Sequence, residues 1–152
     1  MYEILIVGGG PAGLTAAIYA ARAGKHVAVL ERGTTGGQII SAPLVENYPG
    51  IPSVSGTELA RQMTEQACTF GAEIVYTEAV GLEKTSAGFR VLCMDGVREA
   101  KAVILATGAA HRSLGLAAED ALTGCGVSYC AVCDGAFYEG LDVAVVGGGD
   151  TA

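Results

Sequence analysis

The 152-residue sequence contains no tryptophan, only two histidines, and nine basic residues against sixteen acidic ones. Its net charge of −7 argues against a basic surface for the nucleic-acid backbone. No apolar run reaches membrane-spanning length, and the residues after Met1 lack the basic region that opens a signal peptide. These absences predict a cytoplasmic chain that binds neither nucleic acid nor membrane.

Disorder and a structural disulfide framework are also disfavoured. Charged residues make up only 16% of the chain and hydrophobic residues 51%, which predicts a packed core of single-domain length. Five cysteines are an odd number, and a reducing compartment keeps most thiols free. Cys68 and Cys93 lie in amphipathic segments, so we interpret both as buried apolar residues.

Apolar periodicity and turn residues predict an α/β chain with a parallel sheet, covering helices and a small antiparallel β-meander. A Gly/Thr-rich loop is expected at 31–37, an irregular proline-rich segment at 41–55, and irregular structure at 110–140. Gly71 is expected to end the second helix in a left-handed conformation. The predicted strands are 2–7, 26–30, 73–76, 79–84, 89–94, 97–99, 102–106 and 141–146, and the predicted helices are 11–24 and 56–70.

The first glycine motif, Gly8-x-Gly10-x-x-Gly13, follows a predicted strand and opens a predicted helix. In a chain with 23 glycines the motif alone is weak, and its context supplies the specificity. Glu31 stands at the end of the next strand, where an acid meets a ribose hydroxyl of a dinucleotide. This pattern predicts an adenine-dinucleotide site, with a purely structural turn as the alternative. It does not decide between FAD and NAD.

A pair of cysteines, Cys130-x-x-Cys133, is followed at once by Asp134. The spacing suits a redox pair, and the adjacent carboxylate could carry the proton that thiolate chemistry gives or takes. A zinc site is an alternative, although the sequence holds no second CxxC and no HxxxH. Cys125 completes a plant-type ferredoxin spacing, but no fourth cysteine follows Cys133. A chance structural pair also remains open, and the context favours the redox reading.

A second glycine motif, Gly147-x-Gly149-x-x-Ala152, follows the apolar run 143–146. Alanine is permitted at the third position of a dinucleotide fingerprint. The sequence ends on this residue, so a crossover helix, a further strand and basic residues for a 2′-phosphate are missing. We therefore expect an incomplete second nucleotide-binding unit.

Several motifs occur in a fixed order along the whole chain, 1–152. They are Gly8-Gly-Gly-Pro-Ala-Gly13, Gly36-Gly-Gln38, Val45-Glu-Asn-Tyr-Pro-Gly50, Ala106-Thr-Gly-Ala109 and Cys130-x-x-Cys133-Asp-Gly135. Together they resemble the N-terminal portion of bacterial-type, low-molecular-weight thioredoxin reductase. The resemblance implies a Rossmann-like FAD-binding domain at 1–112 that lacks its C-terminal segment. It also implies the truncated beginning of a Rossmann-like NADPH-binding domain at 113–152, carrying the redox motif.

The resemblance also implies roles for individual residues. Cys133 would be the thiol nearest the flavin, Cys130 the interchange thiol that meets the substrate disulfide, and Asp134 the general acid–base group. Cys125 lies outside the family motif. The implied FAD-binding residues are Gly8, Gly10, Pro11, Ala12, Gly13, Glu31, Arg32, Gly36, Gly37, Gln38, Asn47, Val80, Thr107 and Gly108, and those implied for NADPH are Gly147, Gly149 and Ala152. No metal site is implied.

The implied activity is an NADPH-dependent reduction of thioredoxin, or of a similar small dithiol protein, through FAD and the Cys130–Cys133 pair. The full-length family is implied to be homodimeric. One alternative is a reductase portion that serves a peroxiredoxin-type partner. A second is a non-catalytic FAD-binding fragment, since the chain is expected to lack the parts needed for full turnover.

Overall fold

The structure is a computed structural model that describes residues 1–149, apart from the side chains of Val132 and Cys133. The chain divides into two compact units, the first spanning Met1–Gly108 and the second beginning at Ala109. The domain boundary expected between residues 112 and 113 from the family resemblance stays a prediction.

The first unit is built on a six-stranded sheet with the order β3-β2-β1-β6-β5-β4. Its first four members in that order are parallel, and β5 and β4 continue the sheet as antiparallel strands. This arrangement confirms the predicted α/β class with an antiparallel meander. The strands are β1 (Tyr2–Val7), β2 (Val27–Glu31), β3 (Glu73–Tyr76), β4 (Ala79–Thr85), β5 (Gly88–Cys93) and β6 (Gly96–Leu105).

One strand prediction was wrong, because segments 97–99 and 102–106 form the single strand β6. Its first part pairs antiparallel with β5, and its second part pairs parallel with β1. The polar residues Glu99 and Lys101 are exposed while Ala100 between them is buried. Successive side chains of a strand point to opposite faces, so these charges do not interrupt it.

Two helices cover one face of the sheet. In α1 (Pro11–Arg22), a stripe of alanines together with Ile18 packs into the same core cluster as Ile6 and Val27. The helix α2 (Gly56–Thr69) begins after Ser55, whose hydroxyl accepts the Glu58 N–H at 3.2 Å. It is followed by Gly71 at φ +96, which confirms the predicted left-handed end.

A second core cluster joins the parallel strands to the antiparallel meander. Leu5 of β1 and Leu30 of β2 share a core cluster with Val91 and Cys93 of β5. Cys93 is therefore buried as predicted, whereas the prediction for Cys68 was wrong, because that residue is exposed. The buried positions of α2 are 56, 59, 60, 63 and 67, which form one stripe, and position 68 lies to one side of it.

The second unit contains short elements only within its described part. They are α3 (Glu119–Leu122), α4 (Ala131–Asp134) and a 3₁₀ turn at Gly135–Tyr138. The strand predicted at 141–146 is absent, and Leu141, Val143, Val145 and Val146 are exposed. A parallel strand takes its hydrogen bonds from neighbouring strands. In residues 109–149 the only strand-like pairing is an isolated bridge between Thr123 and Val127.

Helices of membrane-crossing length are not found in residues 1–149, where none is both long and apolar enough to span a bilayer. The longest described helix, α2, has 14 residues. A bilayer-spanning helix needs about 20.

Candidate dinucleotide and dithiol sites

The first glycine motif forms a tight turn between β1 and α1. Gly8 has φ +107, and a Cβ there would lie 2.3 Å from the carbonyl oxygen of Ala106. A Cβ on Gly13 would lie only 1.9 Å from the carbonyl oxygen of Gly8. Both positions therefore require glycine, because α1 packs directly against the end of the sheet at these points.

The N-terminus of α1 faces this turn without a side-chain cap. Gly10 is the N-cap, Pro11 occupies the first helical position, and no acidic residue lies in the first turn. The first N–H groups of a helix have no intrahelical acceptor, and the helix dipole places partial positive charge beside them. This terminus is suited to a phosphate group approaching the backbone at Gly10.

Glu31, the last residue of β2, lies beside the same turn. Its Oε2 accepts the Gly9 N–H at 2.8 Å, and its Oε1 accepts the Gly33 N–H at 2.8 Å. The two bonds fix the carboxylate from both sides, and each oxygen keeps a further lone pair for another donor. Glu31, the acid predicted to meet a ribose, is therefore held beside the glycine turn. Its bond to Gly9 was not foreseen from the sequence.

The loop after β2 closes onto the first glycine motif. Gly36 is buried with φ +115, and its N–H donates to the Gly9 carbonyl at 2.7 Å. A Cβ on Gly36 would lie 2.5 Å from the Ala60 Cβ, and one on Gly37 would lie 3.3 Å from the Gly10 Cα. Gly36 and Gly37 therefore adjoin the predicted phosphate loop. Gln38 follows in the 3₁₀ helix Gly37–Ser41, an element that the sequence did not predict.

An apolar cavity of about 250 Å³ opens at the ends of β1 and β6. The predicted residue Val80 lines it and is 58% exposed, and Thr107 lines it as well. Gly108 follows with φ +71, a left-handed backbone conformation that favours glycine. The full lining is Val7, Ala79, Val80, Gly81, Leu82, Val91, Leu105 and Thr107.

Val7 and Leu105 were not predicted as site residues, although a signal for them exists. Each is the last residue of its strand and lies in an apolar run, and the two are paired in the register of β1 and β6. The carboxyl ends of adjacent parallel strands meet at one edge of a sheet, where ligands of α/β folds bind. The positions of both residues, at the carboxyl ends of paired strands, could therefore have indicated the cavity that they line.

Two of the predicted FAD residues, Arg32 and Asn47, are exposed. Arg32 is 78% exposed at its side chain, and its guanidinium lies 3.9 Å from the Glu78 carboxylate. Asn47 is exposed in the irregular segment before α2. Neither forms a hydrogen bond with the phosphate loop in the part of the chain that the structure describes.

The dithiol segment lies in the second unit, around α4. Cys130 is disulfide-bonded, whereas Cys125 is an exposed free thiol. The Asp134 N–H donates to the Cys130 carbonyl at 3.0 Å, so one helical turn joins the two residues. The side chain of Cys133 lies outside the described residues. Among the residues that are described, no group of three or more His, Cys, Asp or Glu could hold a metal ion.

Asp134 is held by a residue that the sequence did not single out. Its Oδ2 accepts a hydrogen bond from the Ser128 hydroxyl at 2.6 Å. The same hydroxyl oxygen accepts the Cys130 N–H at 3.1 Å. Ser128 therefore connects the backbone of the predicted interchange cysteine to the carboxylate of the predicted acid–base residue.

A buried glutamate orders the segment before the cysteines. Glu119 is 3% exposed and accepts the Leu114 and Leu116 N–H groups, at 2.8 and 3.1 Å. It also accepts the hydroxyls of Ser113 and Tyr129. These bonds, led by the one from Tyr129, lower the pKa of Glu119 to about 2, and the same contact raises the pKa of Tyr129 to about 12. No sequence pattern marked Glu119 in advance.

The second glycine motif has no built site in the described residues. Gly147 has φ +121 and Gly149 is exposed, and residues 141–149 form no strand in front of them. Ala152, the third predicted position, lies outside the described residues. NADPH binding at this motif stays a prediction.

Comparison with known proteins matches nearly the whole chain, including the segments of both glycine motifs and the dithiol, to one family. Residues 2–152 match the family model described as pyridine nucleotide-disulphide oxidoreductase. The chain is 46% identical over its whole length to a thioredoxin reductase of Listeria monocytogenes and 45% identical to one of Bacillus subtilis. It spans 48% of each of these relatives, or about half of their length.

Solved structures give the same result. The fold is similar to the thioredoxin reductase of Streptococcus pyogenes, with a TM-score of 0.82 and 49% identity over 91% of this chain and 45% of that one. It is also similar to the Lactococcus lactis enzyme, with a TM-score of 0.76 and 42% identity over 91% of this chain and 46% of that one. The resemblance to thioredoxin reductase is confirmed, and the chain belongs to the pyridine nucleotide-disulphide oxidoreductase family.

Proposed function

We propose that this chain provides the FAD site and the redox-active dithiol of an NADPH-dependent thioredoxin-disulfide reductase. The observation that carries the proposal is the disulfide-bonded Cys130, one helical turn from Asp134, in a chain that also forms a glycine turn at the uncapped N-terminus of α1. Redox pairing explains this combination better than zinc binding, because the adjacent acid gives the thiols a proton partner.

The residues around the first glycine motif fit an adenine dinucleotide. Gly8 and Gly13 bring the backbone close, the uncapped α1 terminus suits the pyrophosphate, and Glu31 is fixed where it can accept ribose hydroxyls. The apolar cavity beside Val80 suits a flat ring. FAD, when bound, would supply the carrier that takes a hydride from NADPH and passes two electrons on.

The chain's own residues perform the disulfide exchange in this proposal. The Cys130 thiolate attacks the substrate disulfide, forms a mixed disulfide and releases one substrate thiolate. The Cys133 thiolate then attacks the Cys130 sulfur, which releases the second substrate thiolate and closes the Cys130–Cys133 disulfide. Two electrons leave the pair, and Asp134 exchanges protons with the thiols. This division of roles follows the family resemblance.

The proposed partner is thioredoxin or a similar small dithiol protein. A homodimeric full-length enzyme would reduce it in the cytoplasm. The relatives at 45–46% identity are named thioredoxin reductase, which supports this choice. NADPH would bind at Gly147 and Gly149. The whole reaction requires the remainder of that second site, because the chain covers about half of its relatives' length.

The test is electron transfer to oxidised thioredoxin from the FAD-loaded chain after anaerobic photoreduction of its flavin, first with this chain and then with Cys130→Ser. Photoreduction replaces NADPH, because the chain covers about half of its relatives' length. Cys125→Ser is the matched control, since Cys125 is a free thiol outside the redox motif. Thioredoxin reduction that disappears with Cys130→Ser and survives Cys125→Ser supports the proposal. Absence of thioredoxin reduction by the folded, flavin-loaded chain supports the alternative of a non-catalytic FAD-binding fragment.

A further inference from the structure

We infer that Ser128 is a positioning residue for the acid–base group of the dithiol, and that it couples the protonation of Asp134 to the backbone at Cys130. The inference rests on the proposed dithiol chemistry and adds a residue to it. Three contacts of a single hydroxyl carry it.

The Ser128 hydroxyl has two acceptor oxygens within reach. Ser128 Oγ is 2.6 Å from Asp134 Oδ2 and 3.4 Å from the Cys130 carbonyl oxygen. A serine hydroxyl has one proton to donate, so it goes to the much closer carboxylate. Ser128 therefore donates to Asp134 while Asp134 is ionised.

The Ser128 oxygen also accepts a hydrogen bond. The Cys130 N–H donates to Ser128 Oγ at 3.1 Å, which fixes the serine relative to the interchange cysteine. The carboxylate is thereby oriented by the backbone of the residue whose thiol it serves. Positioning of this kind matters because proton transfer requires a base within hydrogen-bonding reach in the correct orientation.

When Asp134 takes the thiol proton, its hydrogen bond with Ser128 reverses direction. A protonated Asp134 becomes a donor, and the Ser128 oxygen can accept from it. The serine proton then turns toward the Cys130 carbonyl, the other acceptor within reach at 3.4 Å. The serine thus keeps a hydrogen bond to Asp134 in both protonation states, and no proton is gained or lost by the serine itself.

The surrounding segment holds Ser128 in place. Its neighbour Tyr129 stacks on His111 with ring centroids 3.5 Å apart, and its hydroxyl bonds to the buried Glu119. Tyr129, the middle residue of 128–130, is therefore held by two contacts, while Ser128 itself is exposed. Since water competes for an exposed hydrogen bond, we expect the main effect to be on rate and not on folding.

The experiment follows thiol–disulfide exchange between the pre-reduced chain and oxidised glutathione, quenched with acid and read by mass spectrometry at Cys130. It uses a Cys68→Ser/Cys125→Ser background, because those two free thiols are exposed. The co-reactant is the glutathione disulfide. It forms the mixed disulfide with Cys130 and releases one glutathione thiolate, while Asp134 accepts the Cys130 proton. The Cys133 thiolate then displaces the second glutathione thiolate and closes the Cys130–Cys133 disulfide.

Ser128→Ala should slow exchange about fivefold, the effect of one lost hydrogen bond of about 1 kcal/mol. Ser128→Thr keeps the hydroxyl and should restore the rate to within about twofold. In an Asp134→Asn background, Ser128→Ala should have no further effect, because the serine acts through the acid. Ser113→Ala is the matched control. It removes a serine hydrogen bond to Glu119 in the same unit and should leave the rate unchanged.

Several results would overturn the inference. They are an unchanged rate in Ser128→Ala, a Ser128→Thr rate as slow as that of alanine, and an equal loss in Ser113→Ala. Additive effects of Ser128→Ala and Asp134→Asn would do the same. The assay contains neither flavin nor NADPH, so failed thioredoxin reduction by the photoreduced, flavin-loaded chain with these exchange results intact would refute the proposed reductase and leave the role of Ser128 standing.

Discussion

Replacing Gly13 with alanine should damage the fold itself, whereas replacing Gly10 three positions earlier should not. A Cβ on Gly13 would lie 1.9 Å from the Gly8 carbonyl oxygen. The backbone fixes the position of the Cβ, and the Gly8 oxygen is itself a backbone atom, so no side-chain rotation relieves the overlap and α1 must move away from β1. We expect a loss of about 3 kcal/mol in the free energy of unfolding, or roughly 6–12 °C in Tm.

Gly10→Ala is the matched control within the same motif. Its φ is −74, which alanine adopts without strain, and its Cβ would meet only the Gly37 Cα at 3.9 Å. The expected cost is at most about 1 kcal/mol, from the poorer N-cap. The assay is thermal and urea unfolding of both variants, followed by far-UV circular dichroism. A Gly13→Ala Tm within about 3 °C of the wild type, or equal losses in the two variants, would refute the reasoning.

Three further expectations concern helix capping and the buried carboxylate. Ser55→Ala removes the cap that accepts the Glu58 N–H and should cost about 1 kcal/mol, measured by urea unfolding. Glu119→Gln leaves one acceptor oxygen for the bonds that two now receive, so the Leu114 amide should exchange faster with deuterium while the amides of β1 do not change. The pKa of Glu119 is lowered from 4.5 to about 2, so its stabilising effect is complete above pH 4.5 and is lost as pH falls toward 2. The Leu114 amide chemical shift should follow that titration, and a midpoint at 4.5 or above would contradict the assignment.

Much of the first unit could be predicted because local patterns and the global fold agree there. The apolar run of β1, the glycine turn and the alanine stripe of α1 each specify one element with short-range signals. The merging of 97–99 with 102–106 into β6 could not be predicted as easily. It depends on pairing with β5 on one side and β1 on the other, which are non-local partners.

The second unit shows why pattern alone fails where partners are missing. The run 141–146 has the composition of a buried parallel strand, yet no element forms there in the described residues. The contacts of Ser128 and Glu119 were also invisible in the sequence. A single serine or glutamate carries no periodic signal, and its role arises only when the loops around it are folded.

Titration of the purified chain with FAD tests most directly the claim that its first unit is a dinucleotide site. We expect saturable FAD binding, with visible flavin absorbance that dithionite bleaches. The affinity should be about tenfold weaker in Glu31→Gln, which loses a charged hydrogen-bond acceptor for the ribose. Glu65→Gln is the matched control, because it makes the same change at an exposed residue of α2 that pairs with Arg61. A folded chain that takes up no FAD, or one whose affinity is the same in wild type and Glu31→Gln, would contradict the assignment of a dinucleotide site to the first unit.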